Sequence, residues 1–193
     1  MKARVNQKPV IFFDLDETLI FAEGWLFGAD PRIRIKSTLD RLQGSTDENK
    51  IRMARRYRQE LEILNSSPVI RLSEHAIFSI RVFPGTIEEI RRAREVAELH
   101  VFTAADGTYA EAALHATGMR GYFDSVISLT EAEIDPQSSF PFLGDRPWVL
   151  IDDTPAKDKL KVLRSMNENG RLVQHEGMLS NSVDKALILL DQY

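Results

Sequence analysis

Two carboxylates one residue apart end the first apolar run of this chain, in Val10-Ile11-Phe12-Phe13-Asp14-Leu15-Asp16-Glu17-Thr18-Leu19. A close pair of acids at the mouth of a crevice repels itself unless a cation or a proton intervenes. The same theme returns in Val149-Leu150-Ile151-Asp152-Asp153, where another apolar run stops at adjacent carboxylates. Between them, Val101-Phe102-Thr103-Ala104-Ala105 ends in a hydroxyl and two small residues. Asp14 with Asp152 or Asp153 suits magnesium, a hard cation that takes oxygen ligands and tends to bring phosphate with it. The candidate ligand set is Asp14, Asp16, Asp152 and Asp153. With the repulsion relieved, an oxygen of Asp14 is free to attack phosphorus and form an aspartyl-phosphate. Asp16 is placed to protonate the leaving oxygen and then to activate water. Thr103, with the backbone N–H groups of Ala104 and Ala105, would hold the phosphoryl oxygens.

These residues need parallel strands to bring them together. The run before Asp14 is too short for a helix and rich in β-formers, so it reads as a buried strand. In an open parallel sheet, ligands sit outside the carboxyl ends of the strands. Strands alternate with helices along the chain, at 76–83, 99–105, 125–129, 147–153 and 171–174 for strands. The fold class is therefore α/β, a Rossmann-like parallel sheet with helices on both faces. Aspartates at single strand ends can simply cap turns. Three strand ends carrying polar groups for one crevice make that reading insufficient here.

Helix starts are signalled by Ser45-Thr46-Asp47-Glu48 and Thr86-Ile87-Glu88-Glu89, both with the pattern of a capping box. Apolar residues at Ile51, Ala54, Tyr57, Leu61 and Leu64 continue the first at helical spacing. Its other faces carry Lys50, Arg52, Arg55, Arg56 and Arg58. Such a run is a solvated face or an electropositive wall for an anionic substrate. Thr154 and Pro155 suit the start of a helix running to about Asn167. Residues 130–146 read as irregular, and Gly24, Gly28 and Pro31 punctuate a flap after the first strand. The expected organisation is a single domain over residues 1–193 with a cap or flap insertion at about 21–82, its helical part at about 37–75.

Asp14-Leu15-Asp16-Glu17-Thr18-Leu19 resembles the first motif of the haloacid dehalogenase-like superfamily of phosphohydrolases. Val101-Phe102-Thr103-Ala104-Ala105 resembles the second, and Val149 to Pro155 the fourth. Asp-Leu-Asp-Glu-Thr-Leu, Phe-Thr-Ala followed by Tyr109-Ala110, Asp-Asp-Thr-Pro, and Pro84-Gly85 before a helix are most similar to the NLI-interacting-factor-like branch. That branch includes the phosphatases of the RNA polymerase carboxy-terminal domain. The resemblance covers roughly Lys8 to Ile20 and Phe83 to Leu163. It implies a Rossmann-like sheet, magnesium and phosphoester hydrolysis, with a small molecule or a phosphoprotein as substrate. Two features depart from the pattern. The superfamily has a third-motif lysine upstream of the acidic pair, and no lysine occurs here between Gly121 and Ala156. Arg146 and Lys157 are the candidate replacements for binding substrate and balancing charge. Failing both, the chain would be a weak or inactive scaffold serving as a binding or regulatory protein. The insertion is also longer than the branch leads one to expect, and insertions after the first strand commonly act as caps in the superfamily.

Composition limits the other classes. With no cysteine, thiolate metal sites and a cysteine nucleophile are excluded. A net charge of −4 argues against nucleic acid as a partner. No stretch approaches the roughly 20 apolar residues a membrane span needs, and a cytoplasmic protein is expected. The sequence does not speak to oligomeric state.

Overall fold

The computed structural model describes residues 7–26, 30–73 and 76–193. The expected turn at Gly28 and the boundary at His75 lie outside them. The chain divides into two compact units, one of Met1–Phe21 with Val82–Tyr193 and the other of Ala22–Arg81. No described helix is long and apolar enough to cross a membrane.

The first unit is built on β1 (Val10–Phe13). Its sheet adds β5 (Glu98–Thr103), β6 (Ser125–Ser128), β7 (Trp148–Asp152) and β8 (Gly170–Gln174) in the order β6-β5-β1-β7-β8. Every neighbouring pair is parallel. Strands buried on both faces read as continuous apolar runs instead of alternating ones, and all four residues of β1 are fully buried. One face packs Val10, Phe12, Phe102, Trp148 and Leu150 against Val162 and Leu163 of α7 (Lys157–Met166). Phe12 makes edge-on contacts with Phe102, Phe140 and Trp148. The same cluster takes in Ala132 from α5 (Leu129–Ile134), which is followed by α6 (Pro136–Ser139). These two short helices lie where the sequence pattern looked irregular. The opposite face is covered by α3 (Thr86–Val96), α4 (Gly107–Ala116) and α8 (Leu179–Leu190). There Ile90, Ala93, Ala110, Ala113, Val183 and Ala186 are fully buried.

The register decides which residues meet. Phe13 is level with Val101 on one side and Ile151 on the other. The next residues, Asp14 and Asp152, therefore emerge side by side, and Thr103 ends the strand on the other flank. The amide of Asp14 donates to the carbonyl of Ile151 at 2.8 Å and ties the end of β1 to β7.

The second unit holds β2 (Ile20–Leu26), β3 (Val69–Arg71) and β4 (Ala76–Val82) in the order β2-β4-β3. It also holds α1 (Pro31–Leu42) and α2 (Glu48–Ser66), packed on each other. Ile35, Leu64 and Ile77 form its small core, with Leu39, Tyr57 and Leu61 against them. α1 was not legible in the sequence. Asp30 caps it and Pro31 opens it, so the proline that looked like punctuation is a helix start. The expected caps also differ. Asp47, not Ser45, accepts the free N–H groups of α2, those of Asn49 and Lys50. α3 has no side-chain cap at all, because Gly85 precedes it in the left-handed conformation and the Thr86 hydroxyl is buried in the fold.

Gly170 at the start of β8 shows how closely a side chain of β7 packs over its neighbouring strand. A Cβ at this position would lie 2.0 Å from the ring of Trp148. That ring is fully buried and donates its indole N–H to the carbonyl of Asn167 at 2.9 Å, so it cannot move aside cheaply. Gly170→Ala is expected to lower stability by about 3 kcal/mol, the upper range for overpacking a well-filled core. A urea titration checks this, and an unchanged midpoint would contradict the packing described here.

Candidate active site

The crevice at the carboxyl ends of β5, β1 and β7 gathers acids around one buried ammonium group. Lys159 donates to Asp14 Oδ1 at 2.6 Å and to Asp152 Oδ2 at 2.7 Å. Asp14, Asp152 and Lys159 are 7%, 0% and 5% exposed. Asp153 joins them, since ligand oxygens of Asp14, Asp152 and Asp153 lie within 4.8 Å of one another. Two unit charges about 4 Å apart interact by roughly 4 kcal/mol at the effective dielectric of a protein site. Three carboxylates make three repulsive pairs, and one ammonium makes two direct attractive contacts. The cluster is therefore left with excess negative charge.

That imbalance appears in the titration of Asp14. Burial is the largest influence and, with the charge of Asp152, outweighs Lys159 to raise the carboxyl from 3.8 to about 6. Burial also raises Asp16, against the hydrogen bond it accepts from Tyr109. The Tyr109 hydroxyl donates to Asp16 Oδ1 at 2.6 Å. Burial first, and then Asp16, push the phenol well above its ordinary range, so it remains a donor.

Local structure explains each placement. After Asp14 the chain turns tightly. The amides of Leu19 and Ile20 donate to the carbonyl of Leu15, and that of Glu17 donates to Ile20. Glu17 sits at φ 60° to make this turn. After β7, the amide and hydroxyl of Thr154 both donate to Asp152 Oδ1, at 2.8 and 2.6 Å. Thr154 thus closes a turn onto Asp152 and does not cap the helix as its sequence position suggests. α7 begins only at Lys157, after Ala156 at φ 45°. A non-glycine residue in the left-handed region costs roughly 1–2 kcal/mol. Strain of this kind gathers at sites whose surroundings over-determine it. Here the two strained residues flank the acids. The late start puts Lys159 in the first turn of α7, on the stripe it shares with Val162, Leu163 and Met166.

Lys159 is the residue that the sequence reading missed. A signal was present. A lysine three, four and seven residues before the apolar positions Val162, Leu163 and Met166 is on the buried face of its helix. A cation in the first turn also opposes the helix dipole, so it needs acids nearby. The two expected cations fare differently. Arg146 is buried at the other end of the sheet, donating to the carbonyls of Lys8 and Phe142 and to Glu98 Oε2. Lys8 precedes β1, and Asp14 follows it, so the length of the strand separates Arg146 from the acids. Lys157 is exposed and lines a cleft of about 410 Å³ with Asp14, Ala104, Leu129, Thr154 and Lys159. It makes no hydrogen bond or ion pair with Asp14 among the described residues. Thr103 is buried at the end of β5, and its Oγ1 accepts from the amide of Ala105 at 3.1 Å. Asp16 stands outside the group of close oxygens formed by Asp14, Asp152 and Asp153. Its carboxylate is turned to Tyr109 and does not join the cluster as the expected fourth ligand. A second acid cluster, Glu98 and Asp124 with His100, lies at the amino end of the sheet. Arg146 and Arg94 already pair with its acids.

No protein-family model matches the sequence, and no curated protein matches it. Solved structures do resemble the fold. A HAD-superfamily hydrolase from Ehrlichia chaffeensis superimposes with a TM-score of 0.54 at 15% identity, over 95% of this chain and 98% of the other. A haloacid dehalogenase-like family hydrolase from Xanthomonas campestris does so at 0.53 and 14% identity, over 96% and 98%. The chain has the haloacid dehalogenase-like fold. The fission yeast RNA polymerase II CTD phosphatase Fcp1, bound to beryllium fluoride, matches at 0.48 and 17% identity over 96% of this chain. The chain spans about half the length of that protein, 51% of it. Within the haloacid dehalogenase-like fold, Asp14 occupies the end of the central strand.

The donor set suits magnesium, because two buried carboxylates and the half-buried Asp153 offer only oxygen and carry more charge than Lys159 offsets. The raised Asp14 has a consequence for metal-free protein. A carboxyl raised on folding contributes most stability below 3.8 and loses it as pH rises through about 6. The difference amounts to about 3 kcal/mol. In chelator at pH 8, Asp14→Asn is expected to be more stable than the native chain by about 1–3 kcal/mol, with the gap closing toward pH 4. Magnesium is expected to raise the melting temperature of the native chain and leave that of the variant almost unchanged. Parallel stability–pH curves for the two proteins would contradict this account.

Proposed function

We propose that this chain is a phosphatase that hydrolyses phosphomonoesters through an aspartyl-phosphate on Asp14. The observation that carries the reading is the contact of Lys159 with both Asp14 and Asp152 at the mouth of the central strands. A buried cation between acids at that position can steady both the nucleophile and the phosphoryl oxygens. Asp14, Asp152 and Asp153 would hold magnesium, which when bound neutralises charge on the acids and on the phosphoryl group.

The residues divide the work. An oxygen of Asp14 attacks phosphorus, the new O–P bond forms, and the bond from phosphorus to the ester oxygen breaks. Asp16 gives its proton to the departing oxygen. Asp16 then takes a proton from water as that water attacks phosphorus, which releases phosphate and restores Asp14. Lys159 offsets the charge that gathers on the phosphoryl oxygens. Thr103 uses its Oγ1 to accept from Ala105, which leaves its hydroxyl hydrogen for a phosphoryl oxygen. Ala104 and Lys157 line the cleft where the substrate would enter.

The inactive-scaffold reading arose from the missing third-motif lysine. Lys159 supplies a cation from the other side of the acidic pair, and this supports an active site. The insertion carries basic residues on α2, and their field would favour anionic substrates. Small phosphoesters and phosphoproteins both remain within this class.

Kinetics with aryl phosphates and magnesium test the assignment. Asp14→Asn is expected to abolish turnover and the acid-stable phosphoprotein seen on quenching. Lys159→Met is expected to lower kcat/KM by roughly 10²–10³, as for loss of one electrostatic stabiliser. Lys157→Met should have a much smaller effect. Full activity in Asp14→Asn would overturn the reading, and a larger loss at Lys157 than at Lys159 would overturn the role of the buried cation.

A further inference from the structure

The β5–α4 connection brings a second group to Asp16. Asp106 caps α4 by accepting from the amides of Thr108 and Tyr109. This fixes the first turn of the helix just after Thr103. Tyr109 lies in that turn, 7% exposed, with its hydroxyl 2.6 Å from Asp16 Oδ1. A buried tyrosine commonly finds some partner for its hydroxyl. This partner, however, is the carboxylate two residues after Asp14, on a different strand's loop. Asp16 sits on a tight turn and is not otherwise anchored by a hydrogen bond of its side chain among the described residues. A carboxylate has two oxygens, and holding one by a short bond orients the other.

We infer that Tyr109 is a positioning residue, which holds one oxygen of Asp16 so that the other faces the ester oxygen leaving Asp14's substrate. The inference rests on the phosphatase reading and adds to it a residue that acts through Asp16. Its consequence is selective. Esters with a poor leaving group need a well-aimed proton donor, whereas those with a good leaving group need it far less. The ratio kcat/KM reports the steps up to departure of that group.

Tyr109→Phe removes the hydroxyl and keeps the ring in the core. With magnesium present, its kcat/KM is expected to fall roughly tenfold more on an alkyl phosphate than on 4-nitrophenyl phosphate, as for a misaimed general acid. KM should change little. An equal loss on both esters, or none on either, overturns the inference while leaving the phosphatase reading intact. A native chain that hydrolyses neither ester overturns both. A second measurement needs no turnover. In urea, Tyr109→Phe is expected to lower the unfolding midpoint of the native chain and hardly that of Asp16→Ala. Additive shifts in the double variant would show that the hydroxyl is not held by Asp16, and would overturn the inference.

Discussion

One buried ammonium group, shared between Asp14 and Asp152, is the contact on which the arrangement of the crevice depends. The two acids leave neighbouring parallel strands at the same level, so their charges are forced together by the sheet itself. Water cannot screen them, because neither is more than slightly exposed. Lys159 reaches both because α7 starts two residues later than Thr154 and Pro155 suggest. That late start requires Ala156 in the left-handed region. The strain at one backbone position and the position of one cation are thus parts of a single solution.

Such a pair is not an efficient way to stabilise a fold. Removing ions from water costs several kcal/mol each, and their attraction seldom does more than balance it. Packed hydrophobic side chains would serve stability at least as well. The remaining excess of negative charge makes the site less stable still, as the raised carboxyl of Asp14 records. The sheet can carry this cost. Its central strand is fully buried, and aromatic rings from three strands and from the end of α6 close one face. A destabilised cluster held by a rigid core is the physical form expected of a catalytic centre.

Some elements were legible because their signals are local. Val10 to Phe13 and Val149 to Ile151 are short unbroken apolar runs that stop at acids, the pattern of strands buried on both faces. The amphipathic spacing from Ile51 to Leu64 identified α2. Other elements depended on competition among neighbours. Ser45 and Asp47 are both good caps, and only the path of the chain selected Asp47. Arg146 stands upstream of the acids, in the interval where a balancing cation was sought. Its guanidinium instead binds carbonyls and Glu98 at the amino end of the strands, because the loop that carries it enters β7 there.

The sequence by itself determined the alternation of strands and helices, and it placed Asp14, Asp16, Thr103, Asp152 and Asp153 at strand ends. Those properties follow from short-range patterns of apolar and polar residues. Tertiary structure decided which groups complete the site. Lys159 lies 145 residues from Asp14 along the chain, and Tyr109 lies 93 from Asp16. Nothing in local spacing couples them. Strand register, the turn that Thr154 closes on Asp152, and the cap that Asp106 places on α4 bring them together, and each of those is settled only when the sheet and its helices pack.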